Sequence, residues 1–129
     1  MRENQVSLEI VRAATEVHRA LGGPGLLESV YEEALVFELE LRRLNVTRQA
    51  TVPLFYKGQR LQSTFRPDLI VAHCVLVECK STNKYHQIFN AQALTYLRLT
   101  GLRLALVINF GDVLLKSGVH RVVNGLYEE

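Results

Sequence analysis

Over 4–21 the apolar residues Val6, Ile10, Ala13, Ala14, Val17 and Leu21 recur with polar residues between them. That spacing predicts an amphipathic helix. The run Gly-Gly-Pro-Gly at 22–25 ends it and makes a turn. A second helix is predicted over 27–44, with Val30, Ala34, Phe37 and Leu41 as its buried stripe. From Val46 the period shortens to that of strands. The pattern predicts strands over 46–56, 60–72 and 74–80, with the turn Tyr-Lys-Gly-Gln joining the first two. A loop over 81–87 leads to a helix over 88–100, for which Gly101 is a natural C-terminal cap. The apolar, β-branched run at 102–110 reads as a buried strand. Gly111-Asp112 turns the chain, and 113–123 gives one more strand or two short ones, with an edge free to pair. The order ααβββαββ, without repeat or linker, predicts one α/β or α+β layer domain over 1–129.

Composition leaves that picture in place. The chain has 129 residues, 48% of them hydrophobic and 22% charged, which suits a single soluble domain with its own core. No apolar run reaches the length of a membrane span, and the charged N-terminus lacks the layout of a signal peptide. Cys74 and Cys79 sit in or beside apolar strand sequence and read as reduced core residues of a cytoplasmic protein. They make no zinc site, since two further ligands at suitable spacing are missing. A formal charge of +2 and a pI of 8.7 are only mildly basic, so charge alone does not identify a nucleic-acid binder. Arg42, Arg43, Arg48, Lys57 and Arg60 come closest to a cluster.

The chemistry lies in the stretch Phe-Arg-Pro-Asp-Leu-Ile-Val-Ala-His-Cys-Val-Leu-Val-Glu-Cys-Lys-Ser at 65–81. Strands disfavour Asp, Glu and Lys, yet this one carries Asp68, Glu78 and Lys80. Alternation puts Glu78 and Lys80 on one face and Val77 and Cys79 on the other. Arg66, Asp68 and Ile70 share a face of the preceding strand. A three-residue loop at 72–74 sets Asp68 opposite Glu78, whereas a two-residue loop sets it opposite Cys79 and separates the acids. Nothing at Ala-His-Cys is a strong turn former, so both registers stay open. If the acids meet, a divalent cation between them offsets their repulsion, and Lys80 lies one step away. The alternative is a solvated face with a weak ion pair.

Pro67-Asp68, nine residues, then Glu78-Cys79-Lys80 resembles the motif of the PD-(D/E)XK, restriction-endonuclease-like nuclease superfamily. Gly25-x-x-Glu28-x-x-Tyr31 resembles the signature of its GxxExxY family, and 91–111 resembles that family's C-terminal half. The likeness runs from about His18 to Val123. Two details depart from the family pattern: an extra Gly in Leu-Gly-Gly-Pro-Gly, and Cys79 where an aliphatic residue is commoner.

The resemblance implies a central mixed sheet flanked by helices. It implies a nuclease using Mg2+ or Mn2+, with DNA favoured over RNA as substrate. Asp68 and Glu78 are then metal ligands, and Glu28 a third ligand or the holder of a metal-bound water. Lys80 becomes the catalytic lysine. Gln92 and Tyr96 form a Gln-x-x-x-Tyr pair resembling that of RecB-like members, one helical turn apart on a shared face. Gln92 would orient a water or the lysine, and Tyr96 and Tyr31 would contact substrate. Plainer readings stand beside these: Glu28 as an acid favoured at a helix N-terminus, Tyr31 and Tyr96 as half-buried helix aromatics, Gln92 as a surface amide, His18 as a core or capping histidine. With no appended base-reading module, selectivity would come from a second copy or a targeting protein. The competing function is a non-catalytic nucleic-acid- or protein-binding module on the same fold.

Overall fold

The structure is a computed structural model and describes residues 2–126. Helices α1 (Glu3–Ala20) and α2 (Glu28–Leu41) come first. Strands β1 (Val46–Arg48), β2 (Val52–Tyr56), β3 (Gln59–Phe65), β4 (Leu69–Val71) and β5 (Val75–Lys80) follow. Then come α3 (Ile88–Thr100), β6 (Leu104–Asn109), a 3-10 turn (Leu115–Gly118) and β7 (Val119–Val123). The main sheet has five strands in the order β1-β4-β5-β6-β7, while β2 and β3 form a separate two-stranded hairpin. Only β5 and β6 run parallel, and α3 is the crossover between them. This is the mixed sheet flanked by helices that the resemblance implies.

Two of the three predicted strands divide. The segment 46–56 breaks at Gln49, whose φ of 54° lies in the left-handed region that few side chains adopt. The segment 60–72 breaks at Pro67, which has no N–H for a ladder and holds Arg66 extended. Each break sends one half into the hairpin and the other into the sheet. The last predicted strand is a 3-10 turn followed by β7, which among the described residues pairs only with β6.

The sheet separates two cores. Val75, Val77 and Cys79 of β5, with Leu104, Leu106 and Ile108 of β6, face α1 and α2. Leu76, Ala105 and Val107 face α3 and the hairpin, joined by Ala93, Leu97 and Phe65. On α1 the predicted stripe is buried from Val6 to Val17, but Leu21 is partly exposed. On α2 only Ala34 of the predicted stripe packs against the core. Tyr31, Glu32, Leu35 and Leu39 are buried, whereas Val30, Phe37 and Leu41 are exposed. Both stripes are apolar, and the buried one includes a glutamate, so periodicity favours the wrong face.

Candidate active site

The β4–β5 register decides whether the acids meet. Val71 pairs with Val75 and Leu69 with Val77, so the next pair outward is Asp68 with Glu78. The connection is the three-residue loop 72–74, made possible by positive φ at Ala72 (51°) and His73 (58°). Asp68 is fixed by its Oδ2, which accepts the Cys79 backbone N–H at 2.8 Å. The Glu78 carboxyl lies near enough to Asp68 to feel its charge. Burial, and after it the Asp68 charge, push Glu78 up to about 8, while Lys80 pulls the other way.

Glu78 and Lys80 project from the α3 face of β5 into a cleft of about 330 Å3, also walled by Thr64, Arg66, Gln92 and Tyr96. The i,i+4 pair Gln92 and Tyr96 does reach one cleft, and the Tyr96 ring stacks on Phe65 at 3.7 Å between centroids. Lys80 Nζ sits 4.6 Å above the centre of the Phe89 ring, a cation–π contact that holds the ammonium at the wall. Sequence reading gave no role to Arg66 or Phe89. Both sat in plain view, Arg66 beside the Pro-Asp pair and Phe89 one turn before Gln92.

A further layer lies behind Asp68. Gln49 donates its backbone N–H to the Asp68 carbonyl at 3.0 Å, and its side-chain amide approaches Asp68 Oδ1 at 3.5 Å. The same amide donates to the Glu32 carboxylate at 3.0 Å, and Arg48 Nε donates to Glu32 at 2.7 Å. Glu32 is buried, so the Arg48 charge and the Gln49 amide are what make its burial tolerable. Neither Glu32 nor Gln49 belongs to a short motif, and only the fold brings them to Asp68.

Two expected site residues lie elsewhere. Tyr31 is fully buried and offers no surface to a substrate. Its ring stacks on Phe110 at 4.6 Å, and its hydroxyl donates to the Gly23 carbonyl at 2.7 Å and accepts the Leu26 N–H at 3.2 Å. It therefore shapes the glycine-rich turn, where Gly25 has a φ of 115°. Ser81 Oγ donates to the Leu26 carbonyl at 2.7 Å, which ties that turn to the end of β5. Glu28 follows as the first residue of α2 and is exposed. It is near enough to help raise the buried Cys79 thiol, after burial itself and the charges of Asp68, Glu32 and Glu78. Even so, among the described residues no three His, Cys, Asp or Glu side chains converge as a metal-holding group. Glu28 stands at the head of α2, exposed to solvent, whereas Glu78 lines the cleft. His18 is a core histidine whose Nε2 lies 2.9 Å from the Asp112 carbonyl. His86 Nδ1 accepts the Ile88 N–H at the start of α3.

The donor chemistry fits a hard divalent cation. Paired carboxylate oxygens at a wet cleft are the ligands that Mg2+ takes, one or two acids with the rest water and phosphate. Two facing, half-buried carboxylates repel each other, and a positive charge between them offsets that repulsion.

The chain matches the family model described as the PD-(D/E)XK nuclease superfamily over residues 4–122. No curated protein and no solved structure matches it. Among the described residues no helix is long and apolar enough to cross a membrane.

Proposed function

Because the chain belongs to the PD-(D/E)XK nuclease superfamily, we propose that it is a Mg2+- or Mn2+-dependent nuclease that hydrolyses phosphodiester bonds, DNA in preference to RNA. The observation that carries this reading is the register that sets Asp68 opposite Glu78, with Lys80 and Gln92 beside Glu78 in one cleft. A pure binding module gains nothing from a carboxylate pair facing a polyanion. The Gly25-x-x-Glu28-x-x-Tyr31 stretch supports placement in the GxxExxY family, since the tyrosine holds the turn that sets Glu28 at the head of α2.

Asp68 and Glu78 would hold the cation, which supplies the positive charge that draws a phosphate in and offsets the charge growing on it. The chain's own groups do the rest. Lys80, held against Phe89, presents its ammonium to the attacking water and to a phosphate oxygen. Gln92 offers an amide oxygen to orient that water, and the Tyr96 hydroxyl contacts the phosphate or sugar beside it. Gln49 and Glu32 keep Asp68 in place. Glu28, at the rim, acts through water.

A cleavage assay tests this. Labelled single- and double-stranded DNA and RNA are incubated with Mg2+, Mn2+ or EDTA, alongside Lys80→Ala. Cleavage that needs the metal and is lost in the variant supports the nuclease and names its substrate. Failure to cut any of them, with no metal bound, leaves a binding module.

A further inference from the structure

The segment 41–67 holds six of the chain's fifteen basic residues (Arg42, Arg43, Arg48, Lys57, Arg60 and Arg66) and none of its thirteen acids. Arg42 and Arg48 are spent on ion pairs inside the fold. Lys57, Arg60 and Arg66 form no ion pair among the described residues. All three belong to the β2–β3 hairpin or its exit, outside the main sheet.

The hairpin is rooted firmly and free at its tip. Val52 and Leu54 pack into the α3-side core, and Phe65 is buried under Tyr96. The other six residues of β3 are exposed, and at the tip Phe55 is 54% and Tyr56 61% exposed. Phe65 points inward, so alternation sends Arg60, Gln62 and Thr64 outward, with Arg66 next in the row. Phe55 pairs directly with Arg60 and shares that face. At the other end, Thr64 and Arg66 are walls of the cleft that holds Glu78 and Lys80. One row of side chains thus leads from an exposed aromatic to the candidate catalytic groups. At about 6.7 Å per two residues it spans roughly 20 Å, the axial rise of about six nucleotides of one duplex strand.

An exposed aromatic beside uncompensated cations is the chemistry that holds a single nucleic-acid strand, with a base on the ring and phosphates along the basic row. We propose that this hairpin face is a guide arm that binds a single strand and feeds it to the cleft, a role that deepens and rests on the nuclease reading. Hydrophobic docking of a protein fits less well, because Gln62, Thr64 and the two arginines interrupt the apolar surface.

The test separates binding from cutting. Fluorescence anisotropy in EDTA measures the affinity of a labelled oligothymidylate and of a labelled duplex of equal length. The proteins are the wild type, Arg60→Gln, Phe55→Ala and, as a control on the 3-10 turn, Lys116→Gln. Thermal melts confirm that each is folded, as expected for exposed positions. The expected result is single-strand affinity about tenfold lower in Phe55→Ala, and a salt slope shallower by about 0.7 in Arg60→Gln. The control stays unchanged. Wild-type single-strand affinity retained in both hairpin variants overturns the arm, whether or not the protein cleaves. So does undetectable binding by the wild type, or a loss confined to duplex. Hairpin-dependent binding without metal-dependent cleavage instead sinks the nuclease reading and leaves the arm standing.

Discussion

Asp68 carries two interactions that its neighbours cannot replace. One oxygen accepts the Cys79 N–H inside the central strand, and the carboxylate charge acts on Glu78. Asp68→Ala leaves that N–H unpaired in a buried strand, at a cost of about 1–3 kcal/mol. Asp68→Asn keeps an acceptor oxygen, and its stability should stay within about 1 kcal/mol of wild type. Urea denaturation of the two variants checks this, and equal losses would show that the Cys79 bond is dispensable. Lys80 differs, since it packs on the Phe89 ring and makes no ion pair within 4 Å among the described residues. Lys80→Ala should therefore cost at most about 1 kcal/mol of stability yet lower the cleavage rate by about a hundredfold or more. A rate within a few-fold of wild type, measured under single turnover, would remove Lys80 from the chemistry. The acids and the lysine were legible in the sequence because charged residues stand out in apolar strands. Their meeting was not, because it depends on positive φ at Ala72 and His73, two residue types that give no turn signal.

At the scale of elements, α2 shows how a pattern misleads. It is apolar on two faces, and the buried one carries Glu32, whose carboxylate is met by Arg48 and Gln49 from the β1 region. The assignment is testable. Leu35→Ala, at a fully buried site, should cost about 2–5 kcal/mol. Phe37→Ala, with the larger side chain but 65% exposed, should stay within about 0.5 kcal/mol of wild type. Denaturation midpoints that reverse this order would mean that the helix packs on its other face. The helices over 3–20 and 88–100 were readable almost to the residue, since their periodicity and the Gly101 cap agree. The divided strands were half readable. Pro67 is a visible breaker, but a glutamine in the left-handed region at 49 leaves no mark in the sequence. Gln49 is also the residue that joins Asp68 to Glu32, so the hidden break and the hidden support are one feature.

Across the whole molecule, the acid pair ties folding to pH and to metal. A carboxyl raised from 4.5 to about 8 in the folded state binds more protons there than in the unfolded chain between those values. Stability from this group is therefore complete below about pH 4.5 and is lost as pH rises through about 8. With screening at the cleft, the loss is on the order of 3 kcal/mol, or roughly 10 °C in melting temperature for a domain of this size. Metal-free protein should melt progressively lower from pH 5 to pH 8.5, and Glu78→Gln, which has no proton to lose, should flatten that slope. A cation on the pair reverses the linkage, because it binds the folded state alone and replaces the proton. Mn2+ or Mg2+ should thus raise the melting temperature strongly at pH 8 and little at pH 5.5. Asp68→Asn and Glu78→Gln should each abolish the rise. Scanning calorimetry at the two pH values, with and without metal, reads all of these at once. A metal effect that ignores pH and survives both substitutions would place the cation elsewhere on the protein. A pH slope unchanged in Glu78→Gln would mean that another group sets it.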